Sequence, residues 1–254
     1  MAAFTDCPLQ FRFSAVEKLP QMPSVAMVKG SFIHLVLEKF YSNTEFSNEP
    51  ASLLRECMHL ARPEIFENSE FLKLQLNENE VEAFFRESEA LLQNYLCMED
   101  PATVKVAGVE LQLENDFEGI PLRGIIDRLD EDKDGEFVIV DYKTGKAPPS
   151  PYVESRLNGV KFYGLLLELN FGRLPKRVSL LYLGDKVTVD SSITDQGLNA
   201  FKGKVKAIWK AIEKACDSED FRPVTSRRCD WCSFQKFCPA YGGDPDKARI
   251  ALVE

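Results

Sequence analysis

The sequence predicts a mixed α/β fold, and three observations carry that prediction. Apolar residues in the first hundred positions recur at helical spacing. Between about Thr103 and Val140 the pattern changes to short apolar runs separated by Gly or Asp turns. Beyond that, strand-like runs alternate with long helical segments. The expected order is helices, three strands, a helix, two strands, a helix and a cysteine-rich tail.

The opening segment, Cys7-Pro8-Leu9-Gln10-Phe11-Arg12-Phe13, is short and mixed. Pro20 and Pro23 break the chain ahead of a helix from about Ser24 to Tyr41. There Val28, Phe32, Val36 and Phe40 repeat every four positions beside Ile33 and Leu37. A second helix is expected near Ala51 to Arg62 and a third near Glu78 to Cys97. The third has Val81, Phe84, Phe85, Leu91, Leu92 and Tyr95 on its buried side. Pro101 closes this helical subdomain, residues 24–100. Strands follow at Val104 to Leu113, Leu122 to Asp130 and Glu136 to Tyr142. A long helix runs from about Tyr152 to Phe171. A strand from Arg177 to Leu183 pairs with a short one, Lys186 to Asp190, through the Gly184-Asp185 turn. The last helix spans roughly Asp195 to Asp217. The plan is one domain over 1–254, with an α/β core at 103–217 and a tail at 218–254.

At 254 residues and 44% hydrophobic, the chain can bury a sizeable core. No apolar run is long enough to span a bilayer, so no membrane partner is expected. The N-terminus lacks a basic region followed by an apolar stretch, which points to an intracellular, cytoplasmic protein. A net charge of −9 argues against broad attraction to nucleic acid, but it leaves room for a local basic groove beside an acidic metal site. The seven cysteines, an odd number with no export signal, argue against a disulfide framework. Cys57 and Cys97, in apolar helical contexts, read as small core residues, and Cys216, at a helix end, reads likewise. No phosphate-cradling Gly-x4-Gly-Lys-Ser/Thr loop is present, so the chain does not power translocation itself.

The chemistry concentrates in Gly124-Ile125-Ile126-Asp127-Arg128 and, thirteen residues on, Asp141-Tyr142-Lys143-Thr144-Gly145. The run Phe137-Val138-Ile139-Val140 reads as a buried strand ending where Asp141 begins. Side chains alternate along a strand, so Asp141 and Lys143 share a face. If the strand carrying Asp127 pairs with it as a hairpin, two carboxylates and an ammonium converge. Two carboxylates suit a hard divalent ion, Mg²⁺ or Mn²⁺, together with water and phosphate oxygens. A lysine beside them orients the attacking water or offsets charge developing on phosphate. On its own, an Asp-x-Lys tripeptide is more often solvated charge, and the rest of the chain decides. A second cluster, Cys229-x2-Cys232-x5-Cys238, offers three ligands where zinc and an iron–sulfur cluster each want four. Arg222, Arg227, Arg228 and Lys236 interleave there with Phe221, Trp231 and Phe234. They read equally as a DNA contact or as a solvated rim over packed aromatics.

Together these residues resemble the RecB-like branch of the PD-(D/E)XK nucleases, which includes nuclease domains of bacterial recombination complexes, AddB-type domains and CRISPR-associated exonucleases. Gly30-x3-His34-x3-Glu38 resembles the family's histidine motif. Gly124-x2-Asp127-Arg128 and Asp141-Tyr142-Lys143 resemble its two catalytic strands, and the helix bearing Tyr163 resembles its tyrosine motif. The cysteine spacing, with Cys7-Pro8 as distant first partner, resembles the iron–sulfur variant. The likeness runs from Cys7 to Cys238. It implies a restriction-endonuclease-like core in which His34, Asp127, Asp141 and the Tyr142 carbonyl bind the metal. Lys143 would be the catalytic lysine, and Tyr163 would contact the nucleic-acid backbone or buttress the site. Glu110 or Glu114 would be the supporting acid. Cys7, Cys229, Cys232 and Cys238 would hold a [4Fe–4S] cluster, with Zn²⁺ open on spacing alone. The implied activity is a DNA exonuclease acting on single strands or duplex ends in repair, recombination or CRISPR adaptation. The alternatives are a non-catalytic DNA-binding module and a nuclease dependent on a helicase or other repair or CRISPR partner. One departure stands out: the family's glutamine four residues before the tyrosine is Gly159 here, and Asn158 or Lys161 would have to compensate. His59, without such context, reads as structural or surface.

Overall fold

The computed structural model describes residues 1–42, 49–149 and 153–248. Contacts divide the chain into two compact units, residues 23–199 and residues 1–22 with 200–254. The segment whose composition is mixed folds into two short helices, α1 (Ala2–Asp6) and α2 (Pro8–Phe11), and a π-helical turn, Arg12–Val16. Pro8 occupies the first turn of α2, where its missing N–H costs nothing. Helix α3 (Val25–Ser42) buries Val28, Phe32, Ile33, Val36, Leu37, Phe40 and Tyr41. Helix α4 (Pro50–Glu67) runs past Pro63, five residues beyond the end expected at Arg62. Its buried face continues from Met58 and Ala61 to Ile65, and that packing holds the last turn despite the lost hydrogen bond. A short α5 (Ser69–Lys73) follows, capped by the Asn68 side chain. Helix α6 (Glu78–Leu96) starts in a capping box between Asn77 and Glu80. Cys97 caps its end and is exposed, so it is not a core residue: the helix stops at Leu96 and the chain turns to solvent.

Strands β1 (Val106–Phe117) and β2 (Ile120–Glu131) are longer than their patterns suggest. The reason is the turn: Glu118 and Gly119 both take positive φ, 53° and 85°, so two residues suffice to reverse the chain. Strand β3 (Phe137–Lys143) pairs antiparallel with β2. Helix α7 (Val153–Phe171) then crosses over to β4 (Arg177–Tyr182), which lies parallel to β3, and β5 (Val187–Ser191) returns antiparallel. The five-stranded sheet has the order β1-β2-β3-β4-β5. One core joins helices to sheet: Phe32, Val36, Phe40, Leu54, Phe84 and Tyr95 pack with Val138, Val140, Tyr142 and Leu181. Gly124 allows α7 to sit close on β2, because a Cβ there would lie 2.7 Å from Leu166.

In the other unit, Leu9, Phe13 and Leu19 share a core with Phe234, Phe237 and Ala248, the Phe13 and Phe234 rings 5.0 Å apart. Helix α8 (Asp195–Ser218) buries Leu198, Phe201, Val205, Ile212 and Ala215. Cys216 is exposed rather than buried, since it follows Ala215 onto the outward face. Among the described residues, no helix is long and apolar enough to cross a membrane.

Candidate metal centre

Two strand ladders set three acidic residues level. Val109 pairs with Arg128 and Leu111 with Ile126, so Glu110 lies opposite Asp127. On the other side the β2–β3 ladder ends at Arg128↔Val140, which puts Asp141 level with Asp127. There the strands part, and the Asp127 carboxylate replaces a ladder acceptor: Tyr142 N–H donates to its Oδ2 at 2.8 Å. Glu110 has a left-handed backbone, φ 42°, a conformation costly for a residue with a Cβ and concentrated at functional sites. That kink distinguishes it from Glu114, which is exposed and pairs with Arg123.

Helix α3 supplies the imidazole. His34 Nδ1 lies 3.5 Å from Asp127 Oδ1 and 3.7 Å from Glu110 Oε1, and Nε2 lies 3.2 Å from the Tyr142 carbonyl. Ligand atoms of His34, Glu110 and Asp127 all fall within 4.8 Å of one another. Burial disfavours charge on the ring, but hydrogen bonds and charge from Asp127 and Glu110 outweigh it and raise its pKa to about 10. A proton thus sits where a cation would. Asp141, 4% exposed, has its carboxyl pushed up by burial and then by the Asp127 charge, with Lys143 opposing. Lys143 Nζ is 2.5 Å from Asp141 Oδ2, an ion pair by distance, yet that buried oxygen has no hydrogen bond of good geometry. A closely spaced His–Glu–Asp group with a further buried carboxylate beside it is a donor set that suits a hard divalent ion, so the residues fit one.

Tyr163, on α7, is half-buried, and its hydroxyl pKa is raised by burial and by the charges of Asp141, Asp127 and Glu110, which places it beside the same group. Four residues before it, a Cβ at Gly159 would meet nothing within 4 Å, so the position of the missing glutamine is open space. The Asn158 side chain lies outside the described residues. Glu38, one turn after His34, has its pKa raised by burial and by Glu110. His59 is exposed. Sequence reasoning missed the large buried cluster behind Asp127, in which Arg128 meets Glu99, Tyr41, Tyr95 and Tyr142. A charged residue inside an otherwise apolar strand was the available signal.

Cys7, Cys229, Cys232 and Cys238 line one cavity of about 40 Å³. All are free thiols. Backbone N–H groups of Val224 and Ser226 donate to the sulfurs of Cys7 and Cys229, at 3.5 and 3.3 Å. The Ser226 bond, together with Tyr241, lowers the Cys229 pKa. Four half-buried thiols around one cavity, two already accepting N–H, fit a metal centre. Of the surrounding aromatics, Phe234 is buried and Trp231 is 81% exposed. Arg228 pairs with Asp6 and Arg222 with Asp220.

An imidazole from α3, carboxylates from β1, β2 and β3 and a lysine from β3 thus come together beside a mixed sheet, an arrangement that suits phosphodiester chemistry. The chain belongs to the PD-(D/E)XK nuclease superfamily, which it matches over residues 1–239. It is similar to an ATP-dependent helicase/nuclease subunit of Moorella thermoacetica, with 37% identity over 93 residues. That match covers 33% of this chain and only 6% of that much longer protein. It also resembles the Gene 69 protein of Mycobacterium phage D29, 20% identical over 263 residues and covering 94% of each. Among solved structures, an exonuclease candidate from Eubacterium rectale shares the fold. Its TM-score is 0.54 at 14% identity, covering 89% of this chain and 80% of that one.

Proposed function

We propose that this chain is a Mg²⁺- or Mn²⁺-dependent DNA nuclease, an exonuclease acting on single strands or duplex ends in repair or recombination. The observation that carries this reading is the close His34–Glu110–Asp127 group, with buried Asp141 and its ion pair to Lys143 beside it. His34, Asp127, Asp141 and the Tyr142 carbonyl would hold the ion, with Glu110 as supporting acid. When bound, a divalent ion supplies charge neutralisation at the scissile phosphate and lowers the pKa of coordinated water. Lys143 orients the nucleophile and offsets charge growing on the phosphate, and Tyr163 positions the nucleic-acid backbone. Cys7, Cys229, Cys232 and Cys238, which line one cavity, hold a [4Fe–4S] cluster in preference to Zn²⁺, the choice that their spacing's likeness to the iron–sulfur variant favours.

Charge distribution supports a nucleic-acid substrate. Residues 1–22 with 200–254 carry 13 Lys and Arg against 10 Asp and Glu, whereas residues 23–199 carry 18 against 30. The unit with the cysteines is thus net positive in an acidic chain, as a phosphate-contacting surface requires. A second reading, a nuclease working beside a motor partner, is favoured by the likeness to a helicase/nuclease subunit. The test is digestion of end-labelled single- and double-stranded DNA with Mn²⁺ or Mg²⁺, wild type beside Asp141→Ala and Lys143→Ala. Metal-dependent cleavage lost in both variants supports the site, and the product ladder gives polarity. Cleavage retained by both removes it. Inactivity of cluster-loaded wild type, reversed by a helicase partner, supports the second reading.

A further inference from the structure

We propose that Arg128 is a positioning residue, which sets the metal-binding geometry from behind the strand through Tyr142. Asp127 and Arg128 are consecutive on β2, so alternation turns one towards the acidic group and the other to the opposite side. Arg128 is 1% exposed, among the most deeply buried large side chains in the protein. A guanidinium is buried only at high cost unless its donors are met, and here they are. Nη1 donates to Glu99 Oε1 at 2.5 Å, Tyr142 Oη at 2.8 Å and Tyr95 Oη at 3.2 Å. Nη2 donates to Glu99 Oε2 at 3.0 Å and Asp130 Oδ2 at 2.9 Å, and Nε to the same Asp130 oxygen at 3.2 Å. The guanidinium carbon lies 4.5 Å from the Tyr41 ring centre. Tyr95 donates to Glu99 at 2.6 Å, and the Tyr41 and Tyr95 hydroxyls meet. The network ties α3, α6, β2 and β3 together at one point.

Tyr142 carries the effect to the other face. Its hydroxyl is held by Arg128, its N–H is on Asp127 Oδ2, and its carbonyl faces His34 Nε2. Holding the ring therefore fixes the peptide that orients two of the candidate ligands. Partners of this kind, one bond removed from the ligands, commonly govern metal affinity by 10- to 100-fold. The inference rests on the nuclease reading for its consequence, but its geometry can be read without cleavage.

The test uses Tyr142→Phe, which keeps the backbone carbonyl, and Glu99→Gln, which alters the acceptor shared by Arg128, Tyr41 and Tyr95. Three quantities are measured: Mn²⁺ binding by calorimetry, urea unfolding, and the His34 imidazole NMR signal of ion-free protein. Exposed His59, the only other histidine, serves as internal control. The expected result is a shifted His34 signal, an unmoved His59 signal, and Mn²⁺ binding about tenfold weaker while the protein remains folded. If both variants lose stability with His34 and Mn²⁺ binding unchanged, Arg128 is merely structural and the proposal fails. If wild type binds no Mn²⁺ yet His34 still shifts, positioning stands and the metal reading falls. If either variant fails to fold, the milder Tyr95→Phe carries the same measurements.

Discussion

On one side of β2, Glu110, Asp127 and Asp141 crowd negative charge around a single imidazole, with Lys143 on Asp141 and the Glu110 backbone held in a left-handed conformation. On the other side, one residue along, Arg128 sits among two carboxylates and three tyrosines with all its nitrogens engaged. Both clusters are polar and mostly buried, and each leaves one carboxylate oxygen without a hydrogen bond of good geometry, at Asp141 and at Asp130. They differ in what holds the charge: on the second side one buried guanidinium meets both carboxylates, whereas on the first three carboxylates face an imidazole and an exposed lysine, which leaves that face open to a further cation.

The sharpest way to break that contrast is Asp141→Asn. We expect cleavage to fall by about 10³-fold, from several kcal/mol of lost charge stabilisation. In chelator the same variant should melt at a higher temperature than wild type, because it relieves repulsion with Asp127. A variant that loses activity and also melts lower would contradict the reading of this face as open to a further cation. Arg128→Met should do the reverse, lowering stability by about 3–5 kcal/mol in urea titration, because it strands Glu99 and Asp130 without their cation. Near-neutral stability would mean that the Arg128 cluster is not what holds the strands.

The open face should also respond to pH. The His34 pKa rises from 6.5 to about 10 on folding, because Asp127 and Glu110 outweigh burial. Its contribution to ion-free stability is therefore fully present below about pH 6.5 and lost as pH rises towards 10. Over the same window Mn²⁺ affinity should climb, since the ion displaces the proton. Melting curves in chelator and calorimetry in buffers of differing ionisation enthalpy test both halves, and a flat profile in either would refute the protonated ring. The smallest effect is expected of Gly159→Gln on open helix surface: a gain of roughly 0.5–1 kcal/mol in helix stability, read by thermal melt.

Much of the open face was legible in advance. Asp127, Asp141 and Lys143 follow from strand alternation and the short polar turn between them, whereas His34 stands out only through the likeness of Gly30-x3-His34-x3-Glu38 to the family's histidine motif. Glu110 and Glu114 were not separable, because one lies within and the other immediately past the strand expected at Val104 to Leu113. What divides them is a local kink at φ 42° that no periodicity encodes. The Arg128 face was illegible for a different reason. Glu99 stands 29 positions before Arg128, just past a helix end where its composition looks like loop, and only the packing of α6 brings it in. Pro63 misled in the usual direction, since a local breaker was overridden by burial on both sides of it. The thiols at 97 and 216 were assigned to the core on neighbourhood alone, although each lies one residue beyond a buried position or helix end.

Leu9, Phe13 and Leu19 find their apolar partners only at Phe234, Phe237 and Ala248. On a ribosome, Leu9, Phe13 and Leu19 therefore emerge long before these partners exist to cover them. At about 5–20 residues per second the delay is on the order of 10 to 40 s. During that interval an uncovered greasy segment is a natural substrate for holding chaperones, and a nascent chain halted before Phe234 would never shed it.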